Sequence, residues 1–292
     1  MFFKRMHYLL ISIACVFLFG CSSLLYYPQK QQLMNPLRWG LEPEDVFFTN
    51  QDGLRLHGWW FAAQTIQGER KTALGTVVFF HGNGENLSSH FAMLAWLPAA
   101  GYNYFIFDYP GYGLSDGEPS PEKNVQSGVQ ALLWVTKNKD SRPLIVYGHS
   151  IGGVTALRSV EEVISSDGVT ADLVPIAGVI AEGTFLSYQS IAREKMSENW
   201  VTWLLQPLAY VLLSDKYAPK HVEKISPRHL LVIHGTTDPV IPFAFGQEIY
   251  QQAADPKNFV KVDGGHHGDL YLVDEHKYRQ IVLDQVATWL KK

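Results

Sequence analysis

The sequence predicts an α/β fold, with a mostly parallel central sheet and helices on both faces. Two observations carry that prediction. Short apolar, β-rich runs at residues 76–80, 104–107, 144–147, 176–181, 230–234 and 259–262 alternate with segments of helical periodicity. This is the pattern of βαβ units whose strands are buried on both faces. Residues capable of chemistry follow directly behind those runs, at His81, Asp108, Ser150, Asp238 and the pair His266 and His267. Open α/β sheets place their functional loops at these strand ends.

The elements justify themselves in chain order. Lys4 and Arg5 precede an apolar run at residues 9–19. That run is too short to span a bilayer, which needs about 20 residues, and a basic start followed by such a run reads as a secretory signal peptide. It ends in Leu18-Phe19-Gly20-Cys21-Ser22-Ser23, which resembles the lipobox of bacterial lipoproteins. The only two cysteines are Cys15 and Cys21. Cleavage before Cys21 would leave it without a disulfide partner, and acylation accounts for such an odd cysteine in an exported chain. The expectation is therefore a signal peptide over residues 1–20 and a membrane anchor through lipidated Cys21. Ser22 after the cysteine resembles lipoproteins of the outer membrane, facing the periplasm. An uncleaved helical anchor and a plain secretory signal are the alternatives.

Residues 21–44 lack periodicity and are punctuated by Pro28, Pro36 and Pro43, as a tether would be. The remainder, 45–292, is read as one domain. Residues 46–49 and 54–61 flank Asn50-Gln51-Asp52-Gly53 and read as an antiparallel hairpin. After the strand at 76–80, residues 87–100 carry a helical pattern. A helix at 121–137 has Ser120 as its cap and Pro121 in its first turn. Helices at 151–164, 243–253 and 276–290 complete the pattern.

Composition narrows the function. The chain of 292 residues is 47% hydrophobic and 18% charged, with a formal net charge of −4. That is ordinary globular composition, with enough apolar material for one large core. No basic stripe is present, so nucleic acid is not an expected partner. His266, His267, Asp269 and His276 lack the spacing of a metal-ligand motif, and neither a metal nor an organic cofactor is expected.

The strongest motif is Gly148-His149-Ser150-Ile151-Gly152-Gly153, a G-x-S-x-G between a strand and a helix. A turn that tight strains the backbone at the serine and crowds its neighbours, so small residues flank it. Ser150 is thereby raised above the sheet as a candidate nucleophile. The Ile151 N–H, at the helix start, points toward a developing oxyanion. A hydroxyl needs a base, and the base needs an acid to fix its tautomer. His234-Gly235-Thr236-Thr237-Asp238-Pro239 offers the acid Asp238, and Gly264-Gly265-His266-His267-Gly268-Asp269 offers two candidate bases. Asp108 also ends a strand and is a rival acid; Ser115 is a weaker rival nucleophile. His81 and His149 read as structural residues of their turns.

HGNGEN, DYPGYGLSDG, GHSIGG, Ala181-Glu182-Gly183-Thr184-Phe185, HGTTDPVIP and GGHHGD together resemble the α/β-hydrolase superfamily over residues 46–290. Within it they resemble the branch of serine-aminopeptidase-like hydrolases and depalmitoylating thioesterases. The resemblance implies the order Ser150, Asp238, His. Its G-x-H pattern selects His267 over His266. It also implies an oxyanion donor in the loop after the strand at 76–80, at the backbone N–H of Asn83, with Gly84 second. Glu85 departs from the small residues of relatives. The implied activity is hydrolysis of a carboxylic ester or thioester of an acyl group. A small-peptide amidase and a non-catalytic envelope lipoprotein are the alternatives.

An insertion at about 186–227 resembles the helical cap of that family. It is rich in Trp200, Trp203, Leu204, Leu205, Leu208, Tyr210, Val211, Leu212 and Leu213. These side chains are read first as packing the cap onto the sheet. An acyl pocket and contact with a membrane are the other readings.

Overall fold

The computed structural model describes residues 25–64, 69, 71–165 and 173–291. Cys21 and the segment expected to be a signal peptide lie outside the described residues. Eight strands form one sheet: β1 Glu44–Thr49, β2 Arg55–Phe61, β3 Thr76–Phe80, β4 Asn103–Phe107, β5 Leu144–His149, β6 Ile176–Glu182, β7 His229–Gly235 and β8 Lys257–Val262. Their order is β1-β2-β4-β3-β5-β6-β7-β8. The β1–β2 and β2–β4 pairs are antiparallel, and every later pair is parallel. This is the predicted fold class.

Alternation along the strands builds two apolar layers, because successive side chains point to opposite faces. Val78, Phe80, Phe105, Phe107, Val146 and Val232 join one core. Helices α1 (Pro121–Asn138) and α2 (Ile151–Ser165) cover it with Leu132, Val135, Val154, Leu157 and Val160. Val77, Phe79, Ile106, Ile145, Tyr147 and Leu231 face the other way. After α3 (Tyr188–Ser197), α4 (Leu208–Leu212) and α5 (Phe243–Gln252), the last helix α6 (Glu275–Trp289) closes that second layer with Val282, Val286 and Trp289. Burying each such side chain contributes about 1.5–3 kcal/mol. The sheet is thus held rigid beneath its loops.

Three readings need correction. Residues 87–100 are not one helix but Leu87–His90, a 3₁₀ turn at Phe91–Leu94 and Leu97–Ala100. Pro98 sits in the first turn of the last piece, where its missing N–H is harmless, so the pattern must restart there. The segment read as a tether is tied to the body from Leu25 onward, although residues 27–35 stay exposed. Tyr26 is buried in the core. Gln29 donates its N–H to the Glu85 carbonyl at 2.9 Å, and Asn86 donates to the carbonyls of Gln29 and Gln31. Isolated side-chain and backbone hydrogen bonds, which leave no periodic signature, hold this arm. Finally, the cap residues are not core: Trp200 is 87% exposed, Leu204 75% and Val211 79%. The helical pieces there are short and apolar all round, and the sheet can cover only one side of them.

Candidate active site

Ser150 sits between the end of β5 and the start of α2 with φ of +57°. A non-glycine residue adopts that conformation only when its surroundings enforce it. Several contacts enforce it here. The Ser150 N–H donates to the Glu182 carbonyl at 3.0 Å, and its carbonyl accepts from the Thr184 hydroxyl at 2.6 Å. A Cβ at Gly148 would lie 2.6 Å from the Gly153 Cα, and one at Gly152 would collide with the carbonyl oxygens of Phe80 and His81. Glycine at 148 and 152 is what lets the turn close against β3.

The structure brings Ser150, His267 and Asp238 together. His267 Nε2 lies 2.9 Å from Ser150 Oγ. Its Nδ1 lies 2.7 Å from Asp238 Oδ2. Asp238 Oδ1 accepts the N–H groups of Val240 and Ile241, each at 2.8 Å. The turn after β7 therefore fixes the carboxylate before it meets the ring. Gly183 lies beside the ring at φ +52°, a left-handed backbone that favours glycine; a Cβ there would make only ordinary contact with His267 Nδ1, at 3.4 Å.

Electrostatics follow from burial. Burial lowers the His267 pKa below the ordinary imidazole value; the hydrogen bond to Asp238 opposes this, and the neighbouring His149 ring adds to it. Burial works against the Asp238 carboxylate, but the His267 ring and the two backbone N–H groups outweigh it and hold its pKa below the usual range. The pair thus rests as a neutral imidazole beside a carboxylate. A neutral ring can accept a proton from Ser150.

The rival residues go elsewhere. His266 is exposed and pairs with Asp269 at 3.0 Å. Buried Asp108 accepts the Leu87 N–H at 2.7 Å and faces His57 and His81. Ser115 donates to the Asp108 carbonyl at 2.8 Å and receives the His57 N–H at 3.0 Å. Both brace turns. His81 is fully buried, and its carbonyl accepts from the Tyr109 hydroxyl. The loop behind β3 runs beside the serine, since a Cβ at Gly82 would come within 3.5 Å of Ser150 Cβ. Next to it, Asn83 Oδ1 accepts from the Tyr27 N–H, the Gly84 N–H and the Tyr112 hydroxyl. Asn83 Nδ2 donates to the Leu25 carbonyl. The exposed Glu85 holds the arm through its backbone.

Sequence reasoning missed Glu182. It ends β6, is fully buried, and accepts from the Tyr147 hydroxyl. Its Oε1 lies 3.5 Å from His149 Nδ1, and the His149 ring packs on His267 with centroids 4.8 Å apart. Its only signal was its place in the motif Ala181-Glu182-Gly183-Thr184-Phe185, which assigned it no role; the sheet register sets it opposite His149.

Residues 71–220 match the family described as serine aminopeptidase, S33. The chain belongs to this family and is an α/β hydrolase. The hydrolase is 33% identical to YfhR of Salmonella typhimurium over 92% of its own length and 89% of that protein's. It is 27% identical to the lysophosphatidylserine lipase ABHD12 of Gallus gallus, over 80% of its length and 62% of the lipase. Among solved structures, the Pyrococcus furiosus esterase Pf2001 superimposes with a TM-score of 0.68 at 18% identity, covering 91% of the hydrolase and 98% of the esterase. That likeness concerns the fold.

Proposed function

We propose that the protein is a serine hydrolase that cleaves carboxylic ester or thioester bonds of an acyl substrate. The observation that carries this reading is the unbroken line Asp238–His267–Ser150, with a strained serine at a helix start. His267 Nε2 takes the hydroxyl proton as Ser150 Oγ attacks the acyl carbonyl. Asp238 keeps the Nδ1–H tautomer and stabilises the imidazolium. The backbone N–H groups of Ile151 and Asn83 receive the oxyanion, each such donor being worth about 10²–10³ in rate. His267 then protonates the leaving alcohol or thiol. Water, activated by the same ring, hydrolyses the acyl-enzyme.

A fluorophosphonate probe should label the wild-type protein at Ser150, and Ser150→Ala should abolish labelling. Undiminished labelling of the alanine variant would refute the assignment. The family's description favours one second reading, a small-peptide amidase. Turnover of amino-acid nitroanilides above that of p-nitrophenyl esters would select it.

The lipase relative and the apolar cap support a lipid-derived acyl group. Leu18-Phe19-Gly20-Cys21 supports a lipid anchor in the cell envelope. Incorporation of labelled palmitate that Cys21→Ala eliminates is the expected result; equal incorporation removes the anchor from the account.

A further inference from the structure

From Trp200 to Leu213 the sequence carries no charged side chain. Most of that stretch faces outward: Trp200 is 87% exposed, Val211 79%, Leu204 75%, and Val201, Trp203 and Tyr210 are more than half exposed. A monomer rarely presents so many large apolar groups side by side without a use for them. Trp and Tyr with leucines form the composition that settles at the boundary of headgroups and acyl chains. Arg193 lies over the Tyr210 ring at 4.9 Å. The patch thus has a cation at its edge, where lipid phosphates would sit.

The course of the chain identifies the occupant. The described chain begins at Leu25, which lines one cavity together with Leu212 and Leu213 at the end of the patch. Tyr26 is buried beside Tyr188, the first residue of α3. Leu25 and Tyr26 thus lie beside the cap itself. Upstream lie Cys21 and the apolar run 9–19. Four residue steps separate Cys21 from Leu25, a reach of at most roughly 14 Å. Any bilayer that holds this segment, by an acyl chain or by the apolar run, is held close to the cap.

We propose that the outer face of residues 200–211 is a membrane-docking surface that inserts Trp200, Leu204 and Val211 into a lipid bilayer. The face stands on exposure and chain course alone, independently of the catalytic reading.

The test uses full-length protein reconstituted into vesicles of phosphatidylcholine and phosphatidylglycerol, part of the phosphatidylcholine brominated in its acyl chains. Bromine quenches only tryptophans that reach the acyl region. Quenching should be lost in a Trp200→Phe, Trp203→Phe double variant and kept in Trp39→Phe, whose exposed ring lies outside the cap. It should also persist in Ser150→Ala, so failure of the catalytic reading would not be mistaken for failure here. A Leu204→Ser, Val211→Ser variant that melts like wild type in detergent should lose at least threefold of the quenching. Equal quenching in wild type and the double Phe variant, or none in either, overturns the proposal. So does a wild-type dimer that Leu204→Ser, Val211→Ser dissociates while bromolipid has no effect, because the face then belongs to a second copy.

Discussion

Asp238→Asn replaces one oxygen by an amide nitrogen at nearly constant volume, and the structure dictates which way that amide must point. In the wild type, Oδ1 accepts two backbone N–H groups, from Val240 and Ile241, while Oδ2 meets His267 Nδ1. An asparagine that turned its oxygen toward the histidine would aim its NH₂ at those two donors, the buried N–H of Ile241 and the part-buried N–H of Val240. Two hydrogen bonds would be lost, and leaving the buried Ile241 N–H unsatisfied costs about 1–3 kcal/mol, whereas water can reach the Val240 N–H. The amide is therefore held with its oxygen on the backbone and its NH₂ on the ring by about 1–3 kcal/mol or somewhat more. The ring must then accept at Nδ1 and carry its proton on Nε2, facing Ser150. That tautomer cannot take the serine proton. The expected loss in kcat is about 10³–10⁴, or about 4–5 kcal/mol of barrier. KM and melting temperature should change little, because packing and the backbone hydrogen bonds survive. The assay is steady-state hydrolysis of a p-nitrophenyl ester, with thermal melting as the fold control. A folded variant within tenfold of wild type would refute the argument that Asp238 sets the tautomer of the base.

Because burial lowers the His267 pKa, the acidic limb of kcat/KM should have its midpoint below about 6.5: activity rises as pH climbs through the folded pKa and is complete by neutrality. A midpoint above 7 in a pH–rate profile would contradict it. His266→Ala should stay within a few-fold of wild type while His267→Ala falls by at least 10³ in the same esterase assay, since only His267 meets Ser150. Gly152→Ala should cost about 1–3 kcal/mol by thermal or urea melting, and fluorophosphonate labelling with it, because the new Cβ meets main-chain carbonyls that cannot turn aside. His90 is half-buried beside His81 and His149, and loss of solvent around its ring lowers its pKa to about 3. It stays neutral in the fold while the unfolded chain takes up a proton below about pH 6.5, so stability falls as pH drops from 6.5 toward 3. His90→Gln should flatten that slope between pH 7 and 5.

Much of this was legible because two kinds of signal are local. Strands such as 76–80 and 144–147 are short continuous apolar runs, rich in β-branched and aromatic residues, which fit a buried strand better than a helix of such length. Gly148, Ser150 and Gly152 are constrained by a turn only a few residues long. What was missed depends on distant partners. The arm at 25–31 is held by Asn83, Glu85 and Asn86, more than fifty positions away, through hydrogen bonds without periodicity. The exposure of Trp200 and Leu204 could not be read either, since an apolar residue in a short helix looks the same whether it faces sheet or solvent. Glu182 stood in a motif, but its role was unreadable for the same reason: its meaning comes from Tyr147 and His149, which the register of β5 against β6 places beside it.

Two of the buried aspartates show how far identical chemistry can diverge. Asp108 follows β4 and Asp238 follows β7, and both have pKa values held low against burial by histidines and backbone N–H groups. Neither the residue type nor the shift separates a bracing carboxylate from a catalytic one. The partner of the partner does. The histidines at Asp108 lead back into structure: His57 Nε2 goes to Asp45 at 2.7 Å, and His81 Nδ1 to the Gly82 carbonyl at 2.8 Å. Each of these rings has one nitrogen held by its own protein and the other turned toward Asp108, so no nitrogen is left to face a substrate. His267 has Asp238 on one nitrogen and a hydroxyl on the other, and that hydroxyl sits on a backbone strained to present it. A proton can move along that line only if something reacts at its end. On the proposed reading, the carboxylate that serves chemistry is the one whose histidine ends on a nucleophile.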